Sequence, residues 1–522
     1  MKITAGLAGS DAAVEPDTHL ATRLKQQPAA LVGEPRGADG LTACALAYLA
    51  LPNLIFVFGW FRLSLALLLC ATMIFFIARV FHPRPVVWRS PHARSAIVLI
   101  VLMTCAWAAF GGGSHFMYAN ADWEIRDGVL ADLVNSEWPV LYAAADGAPL
   151  ILRSAIGYFL PPALLGKLVG VSQLPVAVYL WTSLGVLLFL LLLPLPRIAS
   201  WRLALALLLV VFFSGMDFLG TVIATENLPI FPLRIEWWTP LSYPSLTSQL
   251  LWAPNHCLSS WIATLLYFRH RNGAEFFTVT AASLPLTLIW TPFTAIGLLP
   301  FVVLGTLKAL RRTGWRTLPW RTILAALCFS LPIFLYLTID IAGIDSTTAT
   351  TPATTVVNYA LQQVSLRTYL LFVCCEFIFL ALVIAPHVAR ERIEFWLAVL
   401  VLLALPLLRF GPTNDIGLRL NTVPLVVLLA ITLQVLFSAR RAPLPVTLWL
   451  AWLFLAIGAH SAFNELWRSA TFPRWPPNYE QTLADRQGGQ PAAHYVGRLD
   501  SSPLAHWFKQ AGCVASNEAR PC

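Results

Sequence analysis

Hydrophobic runs long enough to cross a bilayer, separated by short polar or basic links, occupy most of the chain from residue 41 to residue 460. They are 41–58, 63–81, 96–111, 174–194, 203–219, 257–269, 275–290, 294–310, 321–338, 367–385, 394–409, 420–437 and 443–460. One further run, 149–170, is apolar but broken by Arg153, Pro161-Pro162 and Lys167. A double proline interrupts a helix, so this segment is read as re-entrant or interfacial. That choice puts Arg197, Arg202, Arg269-His-Arg271, Lys308 to Arg312, Arg390 to Arg392 and Arg440-Arg441 on the same side as the basic link 82–95. Basic loops stay on the cytoplasmic side. The pattern predicts an all-α polytopic membrane protein of about thirteen transmembrane helices, with its N-terminus inside.

Composition agrees. Of 522 residues, 58% are hydrophobic and only 12% charged, whereas a soluble domain carries about 25% charge. The net charge of +9 lies in short clusters between apolar runs. It therefore reports topology, and nucleic acid is not an expected partner. Membrane lipids are, and many of the 20 tryptophans fall near the ends of apolar runs, where interfacial belts form. Residues 1–40 hold no apolar core long enough for a signal peptide and read as a disordered cytoplasmic tail. Residues 41–460 form the membrane domain and 461–522 an external tail. The nine cysteines show no metal-ligand spacing; Cys374-Cys375 read as buried small hydrophobes. An oxidising compartment would permit a disulfide between Cys513 and Cys522.

The first long polar interval, 112–148, holds Asp122, Glu124, Asp127, Asp132 and Glu137. It is the large first external loop, which in a bacterium faces the periplasm. Transfer to a hydroxyl needs a base within hydrogen-bond reach, and a carboxylate serves. Asp122-Trp123-Glu124 sets two acids around a ring of the kind that stacks on sugars. On a helix, Asp122 and Arg126 are four apart and can pair. The plainer reading is a solvated amphipathic helix lying on the membrane.

Two later external segments add chemistry. In 216–256, Arg234-Ile-Glu-Trp237-Trp238 suits a sugar or a phosphate, or else an interfacial belt, and His256 opens the next span as a phosphate donor, metal ligand or cap. In 410–419, Arg419 enters the membrane from outside, suited to a lipid phosphate, to snorkelling, or to a local pair with Asp415. Glu376 is the one acid deep in a span. The chain has no nucleotide-binding fingerprint in a plausible context and no soluble domain to house one, so an activated donor must arrive through the membrane.

Asn120-Ala-Asp-Trp-Glu-Ile-Arg-Asp with Trp138-Pro139, Trp252-Ala-Pro-Asn-His256, and Asn414-Asp415 with Arg419 resemble blocks of the GT-C class of integral-membrane glycosyltransferases. The likeness covers residues 96–437. It implies an enzyme of a bacterial inner membrane that moves a sugar from a polyprenyl-phosphate-linked donor to an envelope glycan, lipid or protein. It implies Asp122 as base and Glu124 as its orienting neighbour or substitute. Arg419 and His256 would hold the carrier phosphate, with Arg126, Trp123, Trp237, Trp238 and Asp415 lining the substrate site. Two departures stand out. The acidic loop follows the third span instead of the first, and the acidic pair that metal-dependent members carry in a later loop is missing. Use of a divalent metal is thus open. A lipid-linked polysaccharide polymerase or ligase and a transporter or flippase are the competing classes. The short, Thr-rich 339–364 loop disfavours the former, and the lack of internal repeats weakly disfavours the latter.

Overall fold

A computed structural model describes residues 39–82, 86, 92–144, 146–229, 235–340, 357–359, 364–388, 391–410, 414–438, 445–500 and 502–514. The expectations for residues 1–38, Arg234, Arg390, Arg440-Arg441, most of 339–364 and Cys522 fall outside the described residues; Cys513 is disulfide-bonded.

Most of the described residues are helical. Helices α1 (Gly40–Trp60), α2 (Leu63–Phe81) and α3 (Arg94–Ala109) lead to α4 (Asp122–Asn135), strands β1 (Leu141–Ala143) and β2 (Pro149–Leu152), and α5 (Leu160–Val169). There follow α6 (Leu174–Leu192), α7 (Trp201–Val211), α8 (Asp217–Thr225), α9 (Leu246–Trp252), α10 (Pro254–His270), α11 (Phe276–Thr287), α12 (Pro292–Thr313) and α13 (Trp320–Leu337). The remainder comprises β3 (Val357–Tyr359), α14 (Leu366–Val373), α15 (Phe379–Ile384), α16 (Arg392–Ala404), β4 (Leu408–Phe410), α17 (Asp415–Leu420), α18 (Thr422–Ser438), α19 (Val446–Thr471), α20 (Leu483–Arg486) and β5 (Val496–Arg498). Among the described residues, eight helical stretches are long and apolar enough to cross a membrane by themselves. The others that coincide with expected spans are shorter, such as α3, α7 and α11.

The charged links gather at one end of the bundle. Asp39 caps α1, accepting from the Thr42 amide at 3.0 Å, and pairs with Arg269 at the end of α10. Arg271 reaches Glu391 at 2.9 Å and Lys308 reaches Glu394 at 2.6 Å. The Ala93 amide bonds the Arg197 carbonyl at 2.8 Å. Thus the basic clusters at 197, 269–271 and 308 share a face, as the charge pattern requires. Segment 149–170 does not reach that face. It begins in β2 and ends with Lys167 donating to the Val134 and Ser136 carbonyls beside α4.

Two expectations need correction. The run 203–219 is not one helix: α7 ends at Val211, and the chain bends through Ser214-Gly215 before α8. The bend is packed so tightly that a Cβ on Gly215 would stand 2.8 Å from Glu376 Cα. The boundary at 460/461 also moves. Helix α19 continues to Thr471, and the residues beyond it run back over α4. There β5 joins β1 and β2 in a three-stranded antiparallel sheet of order β1-β2-β5, with Ile151 opposite Gly497.

Candidate functional site

Helix α4 begins with acids in its first turn, Asp122 and Glu124, which complement the positive helix N-terminus. The Asp122 amide donates to Asn120 Oδ1 at 3.1 Å. Between the acids, Trp123 is fully buried, and its Nε1 donates to the Leu251 carbonyl at 3.0 Å. Its ring lies flat against Gly112 and Gly113, where no side chain fits. The sugar-stacking face expected of Trp123 is therefore covered; the indole pins α4 to α9 instead. Asp122 remains half exposed and pairs with Arg126 at 3.1 Å, one turn on. Glu124 is exposed and, two positions along a helix, points roughly 200° away from Asp122. It lies on a different face of α4 from Asp122.

Two distant residues come to the same place. His256 lies in the first turn of α10, and Arg419 in α17 contacts its Nε2. Phe293 serves both: its ring centroid is 6.3 Å from that of His256 and 5.7 Å from the Arg419 guanidinium carbon. The charges of Arg419 and Arg126 both bear on His256. Hence Asp122, Arg126, His256 and Arg419, drawn from three separate stretches of sequence, form one group. Its buried polar atoms are not all used. Arg126 Nη1, Asn255 Oδ1 and His256 Nδ1 have no hydrogen-bond partner. Each such atom costs about 1–3 kcal/mol. Two guanidiniums set against one half-exposed carboxylate leave a cationic site, suited to an anion with several oxygens. Asp415 heads α17, and its side chain lies outside the described residues.

Trp237 and Trp238 do not join this group. Trp237 is exposed, while Trp238 covers Gly220 and donates to Asp217 Oδ1 at 3.3 Å. Trp238 belongs to a cluster of buried acids that the hydropathy pattern did not disclose. Asp217 accepts from Ser461 at 2.8 Å and Ser214 at 3.3 Å and is hydrogen-bonded to Glu376. Two carboxyl groups bonded to each other share a proton. Glu376 sits in a single π-helical turn, Cys374–Ile378, and lines a water-sized cavity with Ser214, Gly215 and Tyr243. Glu236 accepts from Ser248 at 2.6 Å and from the Ser245 amide at 3.1 Å. Burial, reinforced by Glu465 and Asp217, pushes its carboxyl up to about 8. The available signal was Ser214, Ser245, Ser248 and Ser461, hydroxyls beside apolar runs that hold these acids.

The buried face of α4 is tied to the returning chain. His115 Nε2 pairs with Asp127 at 3.0 Å, while His115 Nδ1 meets the Trp475 carbonyl at 3.2 Å. Asp132 accepts from Tyr142 at 2.6 Å and from the Leu483 amide at 3.0 Å. Burial raises the Asp127 carboxyl against the opposing His115 bond. It pushes Asp132 up to about 6 against Tyr142 and the Leu483 amide.

Among the described residues, no three His, Cys, Asp or Glu side chains are grouped to hold a metal ion. No family model, no curated protein and no solved structure matches the chain.

Proposed function

We propose that the chain is an integral-membrane glycosyltransferase of a bacterial inner membrane, with its N-terminus cytoplasmic. It moves a sugar from a polyprenyl-phosphate carrier to a hydroxyl of an envelope acceptor. The observation that carries this reading is the convergence of Asp122, Arg126, His256 and Arg419 around buried polar atoms without a hydrogen-bond partner. Asp122 takes the acceptor's proton as its oxygen attacks the anomeric carbon. The bond from that carbon to the phosphate oxygen breaks, and its electron pair stays on the phosphate. The added charge faces Arg126 and Arg419, which stabilise it most when it is fully developed. His256 Nε2 accepts from the Arg419 guanidinium, which has donors only.

The test is incubation of the purified chain with radiolabelled polyprenyl-phosphate sugars and an envelope extract as acceptor. Carrier-dependent transfer is expected, and Asp122→Asn should abolish it while leaving the unfolding midpoint unchanged. Normal transfer by that variant would remove Asp122 as the base.

A second reading, a proton-coupled transporter or flippase, is favoured by the buried acids. Asp217, Glu236 and Glu376 together supply the buried carboxyls that such a path needs. Carrier movement across proteoliposomes that fails in Glu376→Gln, without any transfer activity, would favour it.

A further inference from the structure

Helix α11 is enclosed on every side but one. It packs against α10, α1, α2, α12 and α13, and around it α12 meets α10, α10 meets α1, α1 meets α2 and α2 meets α13. The ring stays open between α12 and α13, which part from each other beyond the link 314–319 that joins them. The positions of α11 left half-buried are Phe277, Thr278, Ala281, Leu284 and Leu288, which share one face. All but Thr278 are apolar, and its hydroxyl is spent on the Glu275 carbonyl at 3.0 Å. The open side is thus a groove with an apolar floor. From Phe277 to Leu288 that floor runs about 16 Å at 1.5 Å per residue, close to the ~15 Å depth of one leaflet's hydrocarbon layer.

The mouth of the groove is cationic. Arg311 lies in the last turn of α12, Arg316 in the link and Arg321 in the first turn of α13, all exposed. Other cations at this end of the bundle are already paired: Arg269 with Asp39, Arg271 with Glu391, Lys308 with Glu394, and Arg312 with the Asn272 carbonyl. Among the described residues, Arg311, Arg316 and Arg321 make no hydrogen bond or ion pair. Trp315 and Trp320 alternate with them in sequence and are 69% and 61% exposed, as indoles at a headgroup boundary are. The outer faces change character at the same level. Along α12 the exposed positions run Val303, Leu307, Arg311, and along α13 they run Arg321, Leu324, Leu327. An occupant that matches both halves joins an anionic head to an apolar chain.

We propose that the groove between α12 and α13 is a binding site for one anionic glycerophospholipid. Its phosphate is held by Arg311, Arg316 and Arg321, and one acyl chain lies along Phe277, Ala281, Leu284 and Leu288. Guanidiniums fork onto phosphate oxygens, and the chain covers apolar surface that the ring of helices leaves open. The site does not depend on the transfer reading. The Asp122 group is at the other end of α10, whose 17 residues run from the turn of His256 to Arg269 and His270.

The test is native mass spectrometry of the full chain in detergent, titrated with phosphatidylglycerol, phosphatidylcholine of the same acyl chains, polyprenyl phosphate and inorganic phosphate. One phosphatidylglycerol should be retained at least tenfold more tightly than phosphatidylcholine, and excess inorganic phosphate should not displace it. The triple variant Arg311→Gln, Arg316→Gln, Arg321→Gln should lose that preference at least tenfold. It should melt as wild type does, since these exposed side chains have no partner to lose. Ala281→Trp fills the floor and should weaken retention at least tenfold with all three arginines in place. If that variant melts early, Ala281→Leu serves as the smaller filling, with at least a threefold loss. Wild-type retention of phosphatidylglycerol by the triple variant would overturn the site. So would wild-type retention by the floor variants, because headgroup attraction alone needs no groove. Displacement by inorganic phosphate, or tighter retention of polyprenyl phosphate than of phosphatidylglycerol, would overturn the choice of lipid.

Discussion

Gly113→Ala is the sharpest test of how α4 is held. The new methyl carbon would stand 2.3 Å from Trp123 Cη2, 2.6 Å from Cζ3 and 2.8 Å from Val178 Cγ1. Carbon atoms in contact want about 3.5–4.0 Å, so the indole must retreat by more than 1 Å, by roughly that difference. Trp123 is fully buried, and its indole N–H is held by the 3.0 Å bond to the Leu251 carbonyl. Overpacking costs about 1–3 kcal/mol, and a stretched neutral hydrogen bond adds about 1 kcal/mol. The expected loss is therefore about 2–4 kcal/mol, read as a fall in the denaturant midpoint of the purified protein. Because α4 carries Asp122 and Arg126, any transfer activity should fall by up to about a hundredfold, the usual cost of a 1 Å misplacement. Trp123→Phe removes the benzo ring that the methyl meets. The double variant should therefore lose less than the two single losses added together. The same Phe should rescue Gly112→Ala less well, because that methyl meets Nε1 and Cδ1, at the near end of the indole, at 2.2 and 2.3 Å. If Gly113→Ala melts within about 0.5 kcal/mol of wild type, or if the losses simply add, Trp123 is not the pin described.

Arg419→Lys keeps the charge but loses the planar fork; donor KM should rise roughly tenfold to a hundredfold at one charged hydrogen bond of about 1.5–3 kcal/mol. An unchanged KM would take Arg419 off the phosphate. Asp132, raised from 3.8 to about 6, contributes stability that is fully present below pH 3.8 and lost as pH rises through 6. Its ionisation costs about 3 kcal/mol at pH 7.5. Hydrogen exchange around Leu483 should accordingly quicken, beyond the intrinsic rate, from pH 5 to 7.5, and Asp132→Asn should remove most of that change. A flat wild-type profile would refute it. Gly215→Ala forces a methyl within 2.8 Å of Glu376 Cα, so it should destabilise by about 1–3 kcal/mol. A scan in which this variant matches wild type would mean that the bend is looser than described.

Hydropathy is a local property, and so the long apolar helices and the basic face they share were legible. The Asp122–Arg126 pair was legible too, because helical spacing alone brings residues four apart together. His256 and Arg419 were singled out by residue type; no spacing announces a contact across 163 residues. Trp123 was misjudged because an indole destined for the core and one destined for a sugar read alike. Gly111-Gly112-Gly113 was the overlooked clue, marking a surface on which something large must lie. Asp217 sat at the end of an apolar run and looked like the first residue of a loop. Only the bend at Gly215, enforced by close approach to the π turn, carries it inward to Glu376. Trp237 and Trp238 were grouped with the sugar site by composition, whereas their neighbour Asp217 draws Trp238 elsewhere.

The sheet order β1-β2-β5 also sets a sequence of events in time. Leu152 must wait for Val496, and the Asp132 carboxylate for the Leu483 amide, which lies 351 residues downstream. The helix that presents Asp122 is held first by Leu251 and gains its contacts with Trp475 and Leu483 only about 350 residues after its own synthesis. During that interval His115 and Asp127 have no Trp475 beside them, and the early membrane helices stand without their cover. A nascent chain stalled before residue 475 would thus hold a bundle already in the bilayer and a centre not yet assembled, an interval in which an assembly factor would have something to protect.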